Sequence, residues 1–224
     1  MTTHRQRMVV TGREGQVVRS LIERAALGSR FEVVPVGRPV LDLSQPETVG
    51  AAIRAARPDV IVAAAAYTAV DRAEGDEQAA TVVNGTSTGA IAAVGAALGV
   101  PLIYLSTDYV FDGNKTSPYI ENDAVDPINA YGRSKLAGEE AVAGASSDYA
   151  ILRTAWLYSP FGSNFLKTIL RAASERDSLN VVDDQLGNPT SALDLADAIL
   201  AVAANLLDDP RFPLRGIFHV TGTG

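Results

Sequence analysis

Two kinds of apolar segment alternate along the chain. Short runs rich in Val, Ile and Leu are followed by longer stretches in which apolar residues recur with the period of an α-helix. This alternation is typical of parallel strands covered by helices on both faces, because such strands are buried on both sides. It predicts strands near residues 8–11, 31–36, 40–43, 60–64, 101–106, 149–153, 180–182 and 216–220. It predicts helices over 16–26, 46–56, 76–98, 130–144, 163–174 and 191–207, and hence a doubly wound α/β fold.

The polar stretch 107–127 interrupts the alternation. It contains Gly113, Pro118 and Pro127 and has no helical period. Long loops inside a compact domain are usually functional, so we expect this loop to contribute to a site.

Composition narrows the class of protein. The 224 residues are 47% hydrophobic and carry a formal net charge of -7, which fits a domain with an ample core and argues against nucleic acid as a partner. Cysteine is absent, so neither a disulfide framework nor a thiolate metal site is expected. No apolar run approaches the ~18 residues that cross a bilayer, and the N-terminus does not resemble a secretory segment. We therefore expect a soluble, cytoplasmic protein that binds neither nucleic acid nor a membrane.

A glycine turn follows the first predicted strand. Gly12 and Gly15 stand between that strand and the first helix, where such a turn lets the backbone approach a pyrophosphate. Val18 replaces the third glycine of the dinucleotide pattern, and a tight strand-to-helix connection alone would also explain the two glycines. At the end of the second strand, Arg38 replaces the usual acidic residue. An arginine there favours a 2′-phosphate and thus NADPH over NADH, unless it is only a solvated surface charge.

Small side chains end the fourth predicted strand. Ala64, Ala65 and Ala66 stand where β-branched residues are expected. They either leave room for a ligand across the carboxyl edge of the sheet or simply pack against a helix.

Tyr131 and Lys135 lie one turn apart on the same face of a predicted helix. Because a nearby ammonium stabilises a phenolate, we expect Lys135 to lower the pKa of Tyr131 towards the range of a general acid or base. The pair alone is weak evidence, since Tyr and Lys at this spacing are often merely exposed. Thr107 follows the carboxyl end of the predicted strand 101–106. Its hydroxyl is placed to donate a hydrogen bond to the substrate oxygen that Tyr131 would protonate. The glycine turn, the hydroxyl, Tyr131 and Lys135, in this order, resemble the arrangement of the short-chain dehydrogenase/reductase superfamily, which implies a dehydrogenase or reductase.

Other reactive groups are sparse. His4 and His219 are far apart in sequence, so we expect neither a His-based metal site nor a Ser-His-Asp triad, and we interpret His219 as a core or turn residue. The acidic pairs at 139–140 and 183–184 are interpreted as surface charges. No metal site is predicted.

Six sequence blocks extend this pattern over nearly the whole chain. They are GREGQ at 12–16, AAAYTAVDRAE at 64–74, STDYVFDG at 106–113, YGRSKLAGE at 131–139, RTAWLY at 153–158 and DQLGNPT at 184–190. Together they resemble the dTDP-4-dehydrorhamnose reductase family, in the extended group of the short-chain dehydrogenase/reductase superfamily. Nucleotide-sugar epimerases and dehydratases share the Tyr131–Lys135 spacing, whereas the blocks around Tyr67 and Trp156 separate this family from them.

The resemblance implies an oxidoreductase of carbohydrate biosynthesis that reduces the C4 keto group of dTDP-4-dehydro-L-rhamnose to dTDP-L-rhamnose. It implies NADPH or NADH as the hydride donor and Tyr131 as the proton donor. The implied catalytic residues are Thr107, Tyr131 and Lys135, and the implied sugar contacts are Thr68, Val70, Tyr109 and Trp156. With Arg38 added from its place after the second strand, the expected cofactor residues are Gly12, Gly15, Gln16, Arg38, Asp42, Leu43, Ala64, Ala65, Ala66, Tyr131 and Lys135. Magnesium is associated with the family, but no carboxylate cluster in the sequence requires it.

The resemblance also implies a division of the chain. We expect residues 1–153 to form a Rossmann-type dinucleotide-binding domain that carries the catalytic residues. Residues 154–224 are expected to be mixed, with 153–190 in a small substrate lobe and 191–224 returning to the Rossmann domain. Because the family implies a longer chain, we expect the lobe to be incomplete at the C-terminus and cofactor binding to survive better than turnover.

Two other functions stay open from the sequence. One is an NADP-binding regulatory subunit with the same fold and no turnover, and the other is a nucleotide-sugar epimerase or dehydratase. The expected partner is a small nucleotide sugar, and a homodimer is left open.

Overall fold

A parallel sheet of six strands forms the centre of the part of the protein that the computed structural model describes, residues 5–209 and 214–223. His4, noted in the sequence, lies outside the described residues. The strands of the sheet are β1 (Gln6–Thr11), β2 (Phe31–Val36), β3 (Val60–Ala63), β4 (Leu102–Thr107), β5 (Tyr149–Thr154) and β8 (Gly216–His219). Their order is β2-β1-β3-β4-β5-β8, and every neighbouring pair is parallel. Two short strands, β6 (Leu157–Tyr158) and β7 (Thr190–Ser191), pair with each other apart from this sheet.

Helices cover both faces of the sheet. They are α1 (Gln16–Ala26), α2 (Pro46–Ala56), α3 (Val70–Ala73), α4 (Glu77–Thr81), α5 (Ser87–Leu98), α6 (Ala130–Ala145), α7 (Phe165–Glu175) and α8 (Ala192–Asp208). A π-helical turn, Val82–Thr86, joins α4 to α5, and a 3₁₀ turn, Asp108–Val110, follows β4.

Alternate residues of each strand enter two different apolar clusters. Met8 packs in the cluster that contains Leu21 of α1 and Ile199 of α8, whereas Val9 packs with Ile53 of α2 on the opposite face, together with residues of α5 and α6. This period of two follows from the strand pleat. The doubly wound α/β fold predicted from the sequence is confirmed.

The strand order places a crevice beside β1. The chain passes from β1 to β2 on one side and later returns to β3 on the other side. In open parallel sheets, ligands bind outside the carboxyl ends of the strands where the order reverses in this way. Here the carboxyl ends of β1 and β3 border that crevice.

Two predicted strands are wrong. Residues 40–43 lie in turns and irregular backbone, where Asp42 Oδ1 accepts a hydrogen bond from Ser44 N at 2.9 Å, although Leu41 and Leu43 are buried. A loop therefore satisfies the apolar pattern that indicated a strand. Residues 180–182 lie outside any strand, and Val181 and Val182 are exposed.

The predicted helix over 76–98 is not uniform. The π-helical turn Val82–Thr86 interrupts it and turns the buried Asn84 side chain towards Tyr67, whose backbone N–H and C=O both hydrogen-bond to it. Within the described residues, the stretch Glu77–Leu98 is long and apolar enough to cross a membrane by length and composition, with a mean hydropathy of 1.2. This weak signal is also given by core helices of soluble proteins, and here α5 packs against α2 and α6.

Residues 156–189, which we call the outer segment, differ from the rest. They contain β6, α7 and a long stretch without regular structure. No residue of α7 is buried.

Candidate active site

The glycine turn after β1 borders a cavity of about 610 Å³. Gly12 has φ +101°, a backbone conformation that favours glycine, and its N–H donates to Val36 O at 2.7 Å. Gly15 precedes α1 as its N-cap. The cavity is lined by Gly12, Arg13, Glu14, Gly37, Arg38, Leu41, Leu43, Ala65, Ala66 and Val83. Five of the predicted cofactor residues are among them.

Thr11 fixes the alanine run beside this turn. It is fully buried at the end of β1, and its Oγ1 accepts hydrogen bonds from Ala64 N at 3.0 Å and Ala65 N at 2.9 Å. Ala64 itself packs against the core below α1 and α8. Sequence reasoning missed Thr11, because a threonine at a strand end is an ordinary β residue.

Two arginines stand at the end of the cavity near β2. Arg38 is largely exposed and forms an ion pair with Asp42 at 3.1 Å. Hydrogen bonds from Ser44, and then the Arg38 guanidinium, hold the pKa of Asp42 below its ordinary value. Arg13 was missed by sequence reasoning, although its place between the two turn glycines was a usable signal. The Arg13 side chain packs close to Gly37, since a Cβ added at Gly37 would lie 2.9 Å from Arg13 Cγ. The cavity thus offers two guanidinium groups to an anion.

Gln16 does not line this cavity. Its Oε1 instead accepts hydrogen bonds from Ser159 Oγ at 3.0 Å and Asn164 Nδ2 at 2.9 Å. The side-chain carbonyl oxygen of Gln16 therefore faces the outer segment. The sequence had instead predicted that Gln16 contacts a pyrophosphate.

The three predicted catalytic residues come together at the carboxyl end of β4. Thr107 ends that strand, and α6 carries Tyr131 and Lys135 on one face. Thr107 lies beside the Tyr131 phenol and lowers its pKa, while Lys135 Nζ donates to Leu105 O at 2.6 Å. Thr107 Oγ1 also donates to Asp108 Oδ1 at 2.9 Å. Asp108 is partly buried, and burial raises its pKa.

The expected effect of Lys135 on Tyr131 is wrong for this structure. Burial raises the pKa of Tyr131 well above its ordinary value, and this exceeds the lowering by Thr107. Burial also lowers the pKa of Lys135 to about 7, partly opposed by the negative charge of Glu139. Lys135 Nζ lies 4.1 Å from the centroid of the Tyr104 ring. Near pH 7 the phenol of Tyr131 is therefore protonated, and it is a weaker acid than a phenol in water.

Glycines allow α6 to approach the sheet closely. A Cβ at Gly132 would overlap Tyr109 O, and a Cβ at Gly138 would overlap Tyr104 Oη. Asn129 caps the N-terminus of the helix, and its Oδ1 accepts from Gly132 N at 2.7 Å. These contacts fix the register in which Tyr131 faces Thr107.

A second cavity, of about 730 Å³, opens beside the catalytic residues. Tyr109 and Trp156 line it, and the Tyr109 ring lies edge-on to that of Tyr131 with centroids 5.7 Å apart. Thr68 and Val70, the other two predicted sugar contacts, are not among the residues that line it. Asp184, Leu186 and Gly187 of the outer segment, together with loop residues 111–119, complete much of its wall.

A buried ion pair supports the floor of this second cavity. Glu139 Oε1 accepts from Arg153 Nε at 2.9 Å, and both side chains are at most 4% exposed. The interpretation of Glu139 as a surface charge is therefore wrong, because residue 139 lies on the same helix face as Tyr131 and Lys135. Asp183 and Asp184 are exposed, as expected.

His219 extends this group of side chains. Phe111 stacks on Tyr119, with centroids 4.3 Å apart, and lies 5.0 Å below the Arg153 guanidinium. The His219 ring is edge-on to Phe111 at 5.7 Å. Among residues 5–209 and 214–223, no group of three or more His, Asp or Glu side chains is arranged to hold a metal ion.

Known proteins match the chain along almost its entire length. A family model described as the RmlD substrate binding domain matches residues 6–224. The dTDP-4-dehydrorhamnose reductase of Sinorhizobium fredii is 50% identical over 218 residues, which cover 97% of this chain and 73% of that protein. Solved structures of dTDP-4-dehydrorhamnose reductases from Clostridium acetobutylicum and from Bacillus anthracis, the latter in complex with NADP, each superpose with a TM-score of 0.90 at 36% identity. Each match covers 98% of this chain and 75% of the solved chain.

Proposed function

The chain belongs to the dTDP-4-dehydrorhamnose reductase family, and from this premise we propose that it reduces the C4 keto group of dTDP-4-dehydro-L-rhamnose to dTDP-L-rhamnose. NADPH or NADH is the proposed reductant. The observation that carries the proposal is the contact of Thr107 with Tyr131 one helical turn from Lys135, at the carboxyl end of a central strand.

The first cavity fits the adenosine and pyrophosphate end of a dinucleotide. It lies at the strand-order reversal, its glycine turn has the backbone conformation that allows close approach, and its volume is about 610 Å³. Gly12, Ala65 and Ala66 would face the dinucleotide, and Leu43 would lie near the adenine. Arg13 and Arg38 supply the positive charge that a 2′-phosphate requires, which favours NADPH.

The catalytic groups divide the chemistry as follows. The reduced nicotinamide, when bound, supplies the hydride that adds to C4. Tyr131 donates its phenolic proton to the oxygen that becomes negatively charged, because an alkoxide is basic enough to take a proton even from a phenol whose pKa is raised. Thr107 orients the carbonyl oxygen, exchanging its hydrogen bond to Asp108 for one to the substrate. Lys135, whose Nζ donates to Leu105 O, is the proposed ligand of the nicotinamide ribose.

We assign the sugar to the second cavity. Tyr109 and Trp156 offer flat apolar surfaces with polar edges, which suit the face of a deoxy sugar. Thr68, in the loop that leads into α3, and Val70, the first residue of α3, stay proposed contacts.

The proposal also covers the domain bounds, the cellular compartment and the oligomeric state of the protein. We keep residues 1–153 as the dinucleotide-binding domain, and 153–190 as part of a substrate lobe. The net charge of -7 favours solubility and argues against nucleic acid as a partner. We propose a cytoplasmic enzyme that acts on a small nucleotide sugar and not on a membrane. Size-exclusion chromatography with light scattering tests whether it forms a homodimer.

Oxidation of NADPH, followed by absorbance at a fixed concentration of dTDP-4-dehydro-L-rhamnose, tests the function. We expect turnover by the unmodified protein and a loss of about 10²–10⁴-fold in kcat for Tyr131→Phe, the usual contribution of a general acid. Tyr149→Phe, at the opposite end of the sheet on β5, is the matched control and should retain activity. Near-normal turnover by Tyr131→Phe would refute the assignment of the proton donor. Absence of any keto-sugar reduction by the unmodified protein would refute the function.

A further inference from the structure

Gln16 joins the glycine turn to the outer segment. It is the first residue of α1, directly after the turn, and its Oε1 accepts hydrogen bonds from Ser159 Oγ and Asn164 Nδ2 at 3.0 and 2.9 Å. Ser159 is buried, at 7% exposure. The side chain that begins the cofactor-facing helix is thus held by residues remote from it in sequence.

Asn164 uses both ends of its amide in this link. Its Oδ1 accepts from Lys167 N at 3.0 Å and caps the N-terminus of α7, while its Nδ2 donates to Gln16 Oε1 and to Ser159 O, both at 2.9 Å. The start of α7 is therefore connected to Gln16 through a single planar group.

The loop between Ser159 and Asn164 also packs on α1. The Arg19 guanidinium lies 4.7 Å from the centroid of the Phe161 ring, and a Cβ at Gly162 would lie 3.5 Å from Gln16 Cγ. Elsewhere α7 is weakly held, because none of its residues is buried and Phe165 is 70% exposed. Gln16 and its partners are thus a principal attachment of α7 to the sheet domain.

We propose that Gln16 and Asn164 form a positioning pair that sets the placement of the outer segment, and thereby the affinity for the sugar substrate. The inference rests on the proposed function. The outer segment supplies Trp156 and Gly187 to the wall of the second cavity, so its placement determines the shape of that cavity. Because Gln16 follows the glycine turn directly, occupation of the first cavity and order in the outer segment are coupled.

Kinetics separate this role from a general effect on folding. Asn164→Asp keeps an oxygen that caps α7 but removes the donor to Gln16, and Gln16→Met keeps the length of the side chain but removes the acceptor. One hydrogen bond contributes roughly 0.5–1.5 kcal/mol, so we expect KM for the keto sugar to rise about three- to tenfold in either variant, with a smaller change in kcat. The double variant should raise KM no more than about as far as the more affected single variant, because both substitutions remove the Gln16–Asn164 bond. Asn180→Asp, an exposed position in the outer segment, is the matched control.

The affinity for NADPH, measured by nucleotide fluorescence, should change less than twofold in Asn164→Asp. An unchanged KM for the keto sugar in Asn164→Asp would overturn the proposal. A strictly additive double variant would overturn it as well.

Hydrogen exchange tests the link without turnover. In the unmodified protein without nucleotide, we expect amides at the start of α7 to exchange about three- to tenfold more slowly than in Gln16→Met, and NADPH should slow them further only in the unmodified protein. Equal exchange in the two proteins would refute the positioning role, even if the keto sugar is reduced. Absence of reduction by the unmodified protein would instead refute the proposed function, whatever the exchange rates.

Discussion

The sheet strands β3 and β4 are buried along their whole length, whereas α7 in the outer segment has no buried residue. Both regions have apolar residues at regular spacing, yet Leu170 of α7 is 62% exposed while Ile151 of β5 is fully buried. Many apolar contacts determine the position of the sheet. The position of α7 depends on a few polar contacts, above all that of Gln16 with Asn164. Amphipathic periodicity therefore predicts that an element forms, but not what covers it.

Apolar burial and single hydrogen bonds contribute different amounts to the free energy of unfolding. Burying an aliphatic side chain contributes about 1.5–3 kcal/mol, against roughly 0.5–1.5 kcal/mol for a hydrogen bond. We therefore expect substitutions in the sheet domain to change the free energy of unfolding and substitutions in the outer segment to change mainly local structure and sugar binding.

The largest effect is expected at the buried ion pair of the sheet domain. Arg153→Met leaves the Glu139 carboxylate buried without its partner and should lower the free energy of unfolding by about 3–5 kcal/mol. Urea unfolding followed by far-UV circular dichroism measures it. The control is Arg24→Met, which breaks the partly exposed pair with Asp197 and should lower the free energy of unfolding far less, because solvent screens this pair. Equal losses in the two variants would mean that the Glu139–Arg153 pair is not buried as described.

A matched pair of truncations compares the regions directly. Ile151→Ala creates a cavity among the fully buried residues next to β4 and should cost about 2–5 kcal/mol. Leu170→Ala, on the exposed face of α7, should stay within about 0.5 kcal/mol. Both are measured by urea unfolding. A loss at Leu170 comparable to that at Ile151 would show that the face of α7 is covered in solution.

The sequence predicted the sheet domain better than the outer segment, because burial determines the structure of the sheet domain but not that of the outer segment. Runs such as residues 101–106 form strands because their burial leaves one favourable structure. Val181 and Val182 also have strong β-propensity, but no neighbouring strand pairs with residues 180–182 in the described part of the chain. The prediction of a strand at 40–43 was wrong because a loop buries Leu41 and Leu43 as well as a strand would.

In the candidate site, too, some features could be predicted from the sequence and others could not. Spacing alone brought Tyr131 and Lys135 to one helix face, and motif order added Thr107; the structure places all three together. The pKa of Tyr131 was not predictable, because it depends on burial, which spacing does not reveal. The partners of Gln16 were equally hidden, since they lie at 159 and 164, remote in sequence.

The pH dependence of stability tests the burial of Lys135. Its pKa is about 7 in the folded protein and 10.5 without burial, so between these values the unfolded chain holds a proton that the folded chain has released. The free energy of unfolding should therefore rise with pH in this range, by at most about 1.4 kcal/mol per pH unit. Urea unfolding between pH 7 and 9.5 measures the slope, and Lys135→Met should flatten it. The same slope in both proteins would mean that Lys135 is solvated when folded.

The smallest effect on stability, and the most local one, is expected at Gly187. A Cβ at this position would lie 2.7 Å from Cε2 of Trp156, so Gly187→Ala must displace the indole ring. Trp156 is the single tryptophan of the chain, and its emission therefore reports on the outer segment alone. We expect a shifted emission maximum, with the free energy of unfolding by circular dichroism unchanged within about 0.5 kcal/mol. Gly144→Ala in α6, where a Cβ meets nothing within 4 Å, is the control and should leave the emission unchanged. An unshifted emission in Gly187→Ala would show that Trp156 does not pack on Gly187, whereas a large loss of global stability would show that the outer segment is as tightly coupled to the core as the strands of the sheet.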